Sequence, residues 1–343
     1  MCGYLAAYVH PATAWWLQPF AIVLPYAAAI VAMLTVLTLA RRWRRARLVH
    51  MLLLLLTVVR FGPGWLPPPE APAGGDTLSV YVLNTLNGAH EASAGDTLLA
   101  QVNNHAADLL ALQETWISVQ SEITYAPFLE PIRADGFSVP PSVARGKTLN
   151  LPLLSKGAIA EYAQQELTYW EGSERTFAVG RGIIQLGGRA IVIYNVHLRS
   201  YGESKPWDAA EPDWLSLEFW RPYLRRVRQD YTLRARQAVR IRERMDAEEH
   251  PVILAGDFNS PTYDWVYHHL AAGMTDAFQA AGTGWGGTYH REVPFVRIDH
   301  VLLSPELTPV RAEVLGPLFS DHLPQIVEVA WTDAEDSAKT DER

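Results

Sequence analysis

The residues from Ala21 to Ala40 form an uninterrupted run without a charged side chain. A helix of about 20 apolar residues is long enough to cross the ~30 Å hydrocarbon core of a bilayer. A buried helix of a soluble protein is the alternative, but such uniform apolarity favours a membrane span. Pro25 lies in the first turns of the run, where neighbouring groups can satisfy the backbone of a membrane helix. The run therefore predicts a membrane-spanning helix near the amino terminus.

A second apolar segment extends from Leu48 to Val59, directly after a basic loop from Arg41 to Arg47. A segment of about a dozen uncharged residues is too short to cross a bilayer alone. Arg60 can snorkel, however, and Trp65 can lie at the membrane interface, which would extend the segment to a full span. A re-entrant or interfacial segment is the alternative.

The number of spans decides on which side of the membrane the rest of the chain lies. Basic loops favour the cytoplasmic side, so two spans place both ends of the chain outside the cytoplasm, whereas one span leaves the rest inside. Residues 1–18 lack the basic n-region and the A-x-A cleavage site of a signal peptide. We predict an integral membrane protein with an anchor over residues 1–66. It would contain two transmembrane helices, at about residues 20–40 and 48–66, and carry an extracytoplasmic soluble domain.

The composition of the chain changes after this anchor. We predict a Pro- and Gly-rich linker over residues 67–76, a soluble domain over residues 77–331 and a disordered polar tail over residues 332–343.

The chain up to residue 75 has a net charge of +5, and the remainder has −13. Non-specific nucleic-acid binding relies on Lys and Arg, so the soluble domain has no global signature of that class. The single cysteine, Cys2, excludes an intrachain disulfide and a cysteine-based metal site.

Several predicted strands of branched apolar residues end on a carboxylate, an amide or an imidazole. The final polar residues are Asn84, Glu114, His197 and Asp257. Glu114 taken alone would be interpreted as a solvated strand end. Helical patterns lie between the strands, most clearly from Asp213 to Glu248. Because polar groups at the ends of several strands meet at one edge of a sheet, the pattern predicts a mixed α/β domain with a polar site at that edge.

Three short motifs add further polar side chains to this set. Asp257 and Asn259 lie two residues apart, so that their side chains can point the same way. An Asx-turn is the structural alternative for this pair. The tripeptides RID and SDH supply Asp299, Asp321 and His322. The carboxylates and the imidazole of these motifs are groups that serve in metal binding and acid–base chemistry.

Six motifs occur in a fixed order along the soluble domain: LNTLN, LQE, NVHL, GDFNSP, RIDHVLLS and SDHLP. Their order resembles the endonuclease/exonuclease/phosphatase superfamily, which includes pancreatic deoxyribonuclease, abasic-site endonucleases, neutral sphingomyelinases and inositol-polyphosphate 5-phosphatases. The resemblance covers residues 77–331, and together with the anchor it indicates a membrane-anchored, bacterial-type member. It implies a four-layer α/β sandwich of two mixed β-sheets flanked by helices, and an enzyme that hydrolyses phosphoester bonds.

The resemblance implies a metal site built from Glu114, Asn84 and Asp321, with Glu114 as the first ligand. Mg²⁺ prefers hard oxygen ligands such as these, and Mn²⁺ is the alternative. The metal would polarise a phosphoryl oxygen and stabilise the leaving group. Some family members carry an acidic residue two positions after the first-strand asparagine, but this chain has Leu86 there. A two-metal arrangement therefore has less support.

The resemblance also implies a set of catalytic residues. Asp257 would orient or deprotonate the attacking water, and Asn259 would donate a hydrogen bond to a phosphate oxygen. Asp299 would hold a cationic His322 toward the phosphate. His197 would be the second imidazole there, as a donor or general acid. Together these five residues would neutralise and orient the reacting groups.

The sequence leaves three functions open. The first, which we favour, is a phosphodiesterase of the nuclease type. The second is a phospholipid or sphingomyelin headgroup hydrolase, and the third is a non-catalytic membrane scaffold that retains the fold. The complete set of polar residues argues against the scaffold. The expected partners are a phosphate-ester substrate, either nucleic acid or a lipid headgroup, and the lipid bilayer.

Two further stretches bear on the substrate. The segment from Gly202 to Glu248 is aromatic at its start and Arg-rich after that. It is either a solvated helix whose charges are paired or a surface for anionic lipid or nucleic acid. Trp285 and Tyr289 lie in a glycine-containing loop, which we expect at the rim of the site.

Overall fold

The computed structural model describes residues 2–40, 44–61, 76–91, 93–120, 122–139, 147–157, 159–168, 176–200, 213–292 and 295–332. All but the last residue of the predicted linker lies outside the described residues, and so does the predicted tail after Thr332. The same holds for residues 41–43 of the basic loop and for the start of the aromatic stretch, up to residue 212.

The first of two large sheets has parallel strands at its centre. Its strands, in order across the sheet, are β13 (Leu307–Val314), β14 (Gln325–Trp331), β1 (Leu78–Asn84), β2 (Leu109–Gln113) and β6 (Leu153–Ser155). β1 and β2 are parallel, and Asn84 pairs with Gln113 at their carboxyl ends. The residues that follow the two strands therefore leave the sheet at the same edge.

The second large sheet also mixes parallel and antiparallel pairs. Its strands, in order, are β11 (Thr275–Asp276), β12 (Asp299–Leu303), β10 (Val252–Asp257), β9 (Arg189–His197), β8 (Thr176–Leu186) and β7 (Ile159–Thr168). β10 is parallel to β9 and antiparallel to β12. A third, small antiparallel sheet consists of β4 (Ile123–Tyr125), β3 (Ile117–Val119) and β5 (Lys147–Leu149).

The two large sheets share one hydrophobic core. Val82 of β1 and Ile253 of β10 belong to the same buried cluster. The helices are α1 (Cys2–Ala6), α2 (Pro11–Ala14), α3 (Pro19–Ala40), α4 (Arg44–Phe61), α5 (Ala94–Asn104), α6 (Glu130–Ala134), α7 (Leu217–Met245), α8 (Trp265–Ala271) and α9 (Ala277–Ala281). α5 covers the outer face of the first sheet, while α7 and α8 cover that of the second. This order of helix, sheet, sheet and helix confirms the predicted four-layer α/β sandwich.

α3 is a helix with unusually exposed apolar side chains. Among the described residues, one helical stretch, Pro11–Thr38, is long and apolar enough to cross a membrane. Only 17% of an apolar 18-residue segment within it is buried. Met33 and Val36 are 57% and 66% exposed. A core helix of a soluble domain would bury such residues, so α3 fits the predicted membrane-spanning helix in length and surface.

α4 differs from the second span that the sequence predicts. It begins at Arg44 and ends at Phe61, and it packs beside α3, where Thr35 Oγ1 donates to the carbonyl of His50 over 3.1 Å. The arginines of its first turn make it less apolar than α3. Residues 62–66 of the predicted span lie outside the described part of the chain, so a second crossing stays a prediction.

The amino-terminal residues also pack against the soluble domain, which the sequence did not predict. Gln18 Oε1 accepts a hydrogen bond from the backbone of Trp265 over 3.2 Å, and the His10 ring lies 4.4 Å from the Trp265 ring. Tyr26 Oη donates to the carbonyl of Phe295. The start of α3 is thus attached to the layer formed by α7 and α8 and to the loop before β12.

Candidate active site

The strand ends bring the predicted polar residues to one edge of the sandwich. His197 at the end of β9 pairs with Asp257 at the end of β10, and Asp257 pairs with Asp299 at the start of β12. Asn84 ends β1 in the opposite sheet. Because two parallel pairs end at this edge, side chains from both sheets converge there.

Asn84 connects the two sheets through its side-chain amide. Its Nδ2 donates to Glu114 Oε1 and to Asp257 Oδ2, each over 3.1 Å. Its Oδ1 accepts from the backbone of Leu86 over 3.1 Å, and its backbone carbonyl accepts from Ser320 Oγ over 2.6 Å. Asn84 is almost fully buried, so these contacts fix it tightly between the two carboxylates.

Glu114 follows β2 in a left-handed backbone conformation, with a φ of +49°. Such a conformation costs a non-glycine residue on the order of 1–3 kcal/mol and is frequent at functional sites. Its carbonyl accepts from Asn87 N and Thr85 Oγ1, over 3.0 and 3.1 Å, and these bonds hold the turn. The side chain is 36% exposed, which makes its carboxylate accessible from solvent.

Asn259 holds Asp257 rather than presenting its amide to the site. The backbone of Asn259, with a φ of +48°, donates to Asp257 Oδ1 over 2.7 Å. Its side-chain Nδ2 donates to Asp257 Oδ2 over 3.2 Å and to the carbonyl of Leu198 over 3.0 Å. Since both amide hydrogens have protein acceptors, Asn259 positions Asp257 here. The sequence-based role, a hydrogen bond to phosphate, would require the amide to exchange a partner.

The two imidazoles flank Asp257. His197 Nε2 lies 3.5 Å from Asp257 Oδ2 and 3.7 Å from Glu114 Oε1. His322 Nε2 lies 3.7 Å from Asp257 Oδ2, and its Nδ1 lies 2.9 Å from Asp299 Oδ2. Only the last distance is that of a hydrogen bond, so Asp299 holds the His322 ring, whereas His197 makes no contact this short with either carboxylate.

Asp299 and His322 share one proton, which we assign to the imidazole. Burial alone would lower the pKa of His322, but the charges of Asp299 and Asp257 outweigh it and raise that pKa to about 10. Burial also raises the pKa of Asp299, against the attraction of His322. We favour the ion pair because His322 has carboxylates on both ring nitrogens. His322 is therefore a buried cation at neutral pH.

Asp321 lies on the wall of the site beside Tyr289. Its backbone carbonyl accepts from His290 N over 2.9 Å. Burial raises the pKa of Tyr289, and the charges of Asp321 and Asp257 add to this effect. The Tyr289 ring lies 5.0 Å from the His322 ring. Tyr289 thus rims the site as its loop suggested, whereas Trp285 packs near Tyr26 with ring centroids 6.0 Å apart.

Several residues of the site were not recognised from the sequence. Gln113 Nε2 donates to Asn195 Oδ1 over 2.6 Å, and both amides are fully buried between the sheets. Thr288 Oγ1 accepts from the backbone of Asp299 over 3.2 Å. Gln113 and Asn195 lie within the LQE and NVHL motifs, next to Glu114 and His197, and that adjacency was the available signal.

The donor set fits a hard divalent cation. Glu114 Oε1 and Asp257 Oδ2 both accept from Asn84 Nδ2, so two carboxylate oxygens, which are ligands that Mg²⁺ takes, lie close together. A second group of possible ligand atoms, from Asp257, Asp299 and His322, lies within 4.8 Å of one another. A protonated imidazole cannot ligate a metal, so the cationic His322 makes Glu114 the better ligand. Asn84 would join Glu114 only if its amide turned its Oδ1, which accepts from the backbone of Leu86, toward the cation.

These groups open into a cavity of about 770 Å³. Its polar part contains Asn84, Glu114, His197, Asp257, Asn259, Asp321 and His322. Leu86 also lines it, at the position where some relatives carry an additional acid. Seven of the eight predicted site residues thus line one cavity, and Asp299 is buried behind it.

Solved structures share this fold at low sequence identity. An endonuclease/exonuclease/phosphatase family protein from Bacteroides thetaiotaomicron is 17% identical, with a TM-score of 0.54 over 76% of this chain and 100% of that chain. A mannosyl-6-phosphatase from the same species is 17% identical, with a TM-score of 0.53 over 74% and 100%. A humanized TDP2 from D. rerio is 15% identical, with a TM-score of 0.50 over 74% and 99%. Identities this low show the fold alone.

The sequence itself identifies the family. A search of curated proteins finds no significant match. The model of the Endonuclease/Exonuclease/phosphatase family matches residues 82–322, which is more than half of the chain and includes all eight predicted site residues. The chain therefore belongs to the endonuclease/exonuclease/phosphatase family, whose members hydrolyse phosphoester bonds.

Proposed function

We propose that this chain is a membrane-anchored phosphodiesterase that uses a divalent cation and a water molecule activated by Asp257. The observation that carries this proposal is the position of Asn84, whose amide lies 3.1 Å from both Glu114 Oε1 and Asp257 Oδ2. A carboxylate for the metal and a carboxylate for the water are thereby held side by side.

Glu114 would hold Mg²⁺ or Mn²⁺, joined by Asn84 after its amide turns Oδ1 away from the backbone of Leu86, with Asp321 as the third candidate ligand. When bound, the cation neutralises charge on the phosphoryl oxygens and on the leaving oxygen. The carboxylates around this point would otherwise repel an anionic phosphodiester. The need to offset this repulsion supports a cation as part of the reacting complex.

In this proposal Asp257 acts as the base. Asn259 and Asn84 hold its carboxylate through hydrogen bonds of 2.7 to 3.2 Å. One water proton would pass to Asp257 as the water oxygen bonds to phosphorus. The bond from phosphorus to the ester oxygen then breaks, and that oxygen takes a proton from His197. Exchange with solvent afterwards returns both residues to their starting forms.

His322 supplies a fixed positive charge. Its Nε2 faces Asp257 at 3.7 Å, while Asp299 holds its Nδ1 at 2.9 Å. A buried cation that needs no reorganisation is suited to stabilise charge on the phosphoryl oxygens in the transition state. Asp299 acts through His322 and is a positioning residue.

The anchor is proposed from α3. Its exposed apolar side chains would be unfavourable in water and are suited to lipid. If α4 also crosses, the soluble domain lies outside the cytoplasm. Two substrate classes fit such an enzyme: nucleic acid, which the sequence favoured, and a lipid phosphoester. The apolar part of the active-site cavity favours the second.

A hydrolysis panel on the full chain in mild detergent tests this function. The substrates are bis(p-nitrophenyl) phosphate, single-stranded DNA, RNA and mixed phospholipid vesicles, each with Mg²⁺, Mn²⁺ or EDTA. We expect turnover of at least one phosphodiester with metal, none with EDTA, and a large loss in Asp257→Asn. Asp246→Asn, an exposed carboxylate at the end of α7, is the control. EDTA-resistant turnover, or full activity of Asp257→Asn, would contradict the proposal.

A further inference from the structure

The active-site cavity has an apolar wall in addition to its catalytic carboxylates. The apolar lining residues include Ile22, Trp220, Tyr223, Leu224, Val227 and Phe295. They come from α3, from α7 and from the loop before β12. One continuous cavity thus combines the proposed phosphate site with a surface that water solvates poorly.

α7 contributes four of these residues from a single face. Trp220, Tyr223, Leu224 and Val227 follow the i, i+3, i+4, i+7 spacing of one helical stripe. The buried residues of α7 begin only at Asp230. The carboxyl-terminal part of the helix therefore packs on the second sheet, and its amino-terminal part lines the cavity instead.

The apolar surface continues beyond the cavity on α7. Leu224 is 46% exposed and Leu217 is 81% exposed. The Trp214 ring contacts the Trp220 ring at 5.6 Å. Large exposed apolar patches on soluble proteins mark interaction sites for apolar partners. This patch adjoins the wall of the cavity.

α3 connects the cavity with the proposed membrane segment. Ile22 lines the cavity one turn before Tyr26, whose hydroxyl donates to the carbonyl of Phe295. Beyond this contact α3 exposes Met33 and Val36. The helix that would enter the bilayer therefore begins as a wall of the active site, so the cavity would lie at the membrane surface.

We infer that the apolar wall binds the hydrocarbon chain of a lipid phosphoester taken from the bilayer that holds α3. The inference rests on the proposed function, since it places the phosphate of this lipid beside Glu114 and Asp257. The chain would lie against Ile22 and Leu224. Water would attack the phosphorus as proposed above, and one of the two alcohols that are esterified to the phosphate would leave.

The wall fits a hydrocarbon chain better than a nucleic acid. Trp220 and Tyr223 could stack on bases, but the aliphatic Ile22, Leu224 and Val227 offer no ring. Nucleic-acid affinity depends on neutralising several phosphates, and among the described residues Arg226 is the one Arg or Lys that lines the cavity. A strand of nucleic acid would also have to lie against a membrane helix.

A pair of chromogenic phosphodiesters tests the wall directly. p-Nitrophenyl methyl phosphate and p-nitrophenyl hexyl phosphate share a leaving group and differ in chain length. Each methylene that leaves water should raise kcat/KM by about fourfold. We expect the full chain to prefer the hexyl ester by at least about 30-fold, since five added methylenes need only be partly buried to reach that ratio.

Variants on α3 and α7 show whether this wall causes the preference for the hexyl ester over the methyl ester. Ile22→Ser and Leu224→Ser should each lower the hexyl-to-methyl ratio by about tenfold or more. Val23→Ser on α3 and Gln229→Ser on α7 change exposed residues that do not line the cavity, and they should keep the ratio. Comparing ratios in one detergent cancels partitioning of the hexyl ester into micelles. Thermal melts followed by circular dichroism verify that each variant is folded.

A vesicle experiment tests the source of the lipid. The full chain is reconstituted into phosphatidylcholine vesicles that also hold p-nitrophenyl hexadecyl phosphate, or is mixed with separate vesicles that hold it. Hydrolysis should be at least tenfold faster in the shared bilayer. Equal rates would overturn entry from the bilayer of α3.

Three further results distinguish failure of the lipid-binding wall from failure of the proposed phosphodiesterase activity. A hexyl-to-methyl ratio near one, with both esters hydrolysed, would overturn the apolar wall and leave the phosphodiesterase intact. A higher kcat/KM for single-stranded DNA than for the hexyl ester would overturn the lipid in favour of nucleic acid. Absence of metal-dependent turnover of either ester would remove the proposed function, and the inference with it.

Discussion

Asn84 and Asp257 lie on different sheets, and the Asn84 Nδ2 donates to Asp257 Oδ2 over 3.1 Å. A second buried amide contact, from Gln113 to Asn195 over 2.6 Å, connects the same two sheets just behind the site. Buried hydrogen bonds of this kind are costly to leave unmade. The packing of the two sheets therefore sets the distance between the proposed metal ligands and the proposed base.

The Asp299–His322 pair should behave as one unit. Asp299→Asn and His322→Ala should each slow turnover, because the first removes the carboxylate that holds the imidazole at 2.9 Å. The double variant should lose little more than the worse single variant, since coupled residues are not additive. kcat of the four proteins on bis(p-nitrophenyl) phosphate measures this. Additive losses would show that the two residues act independently.

His322 should titrate far above an ordinary histidine. Its pKa is raised to about 10 by the charges of Asp299 and Asp257, which outweigh burial. The imidazole then stays charged as the pH rises through neutrality and loses its proton only near pH 10. In Asp299→Asn the pKa of His322 should fall, because fewer negative charges then offset the lowering effect of burial. Nitrogen-15 NMR of metal-free protein labelled at histidine reports this. A wild-type His322 that titrates near 6.5 would refute the ion pair.

The buried Asp276–Arg297 pair should stabilise the strand that carries Asp299. Arg297 NH1 and NH2 donate to the two Asp276 oxygens over 2.8 and 2.7 Å, and both side chains are buried. Arg297→Met should cost about 3–5 kcal/mol at pH 7, because it leaves a buried carboxylate without its partner. Urea unfolding of the full chain in mild detergent measures this loss.

The pH dependence of that loss follows from Asp276. Burial alone would raise its pKa, but Arg297 outweighs this effect and lowers the pKa to about 2. The stabilisation is thus present above the unfolded pKa of about 3.9 and is lost as the pH falls through 2. Arg311→Met, in an exposed pair with Glu313, should cost at most about 1 kcal/mol. Equal losses in the two variants would contradict the role of burial.

The basic loop after α3 should lie in the cytoplasm, with the catalytic domain across the membrane from it. α3 and α4 pack side by side, which brings the end of α4 back toward the catalytic domain. A reporter that is active only outside the cytoplasm, fused after Trp331, should therefore be active. A silent reporter, with a cytoplasm-only reporter active at the same position, would refute this orientation and favour a cytosolic substrate.

The strand framework could be predicted because its signals are local. The expected strand ends at Asn84 and Asp257 are the last residues of β1 and β10. Branched apolar runs with a polar last residue carry this information within a few positions. The family motifs then grouped the polar residues that the structure brings to one edge.

Contacts between distant segments could not be predicted. Tyr26 meets Phe295 across 269 positions, and no local pattern indicates that an apolar helix will also line a catalytic cavity. The role of Asn259 as a donor to phosphate is what the family resemblance implies. Its left-handed φ of +48° and its bond to Leu198 emerge only when β9 and β10 are side by side. The catalytic roles and the second span stay predictions.

The activity of Glu114→Gln shows most clearly whether hydrolysis depends on a divalent cation held by Glu114. Initial rates of bis(p-nitrophenyl) phosphate hydrolysis by the full chain are measured across a Mg²⁺ series, beside Glu122→Gln as an exposed control. We expect Glu114→Gln to lose more than about 100-fold in rate at saturating Mg²⁺ with an unchanged melting profile, and the control to keep near wild-type rates. Full activity of Glu114→Gln at saturating Mg²⁺ would refute a cation site at Glu114.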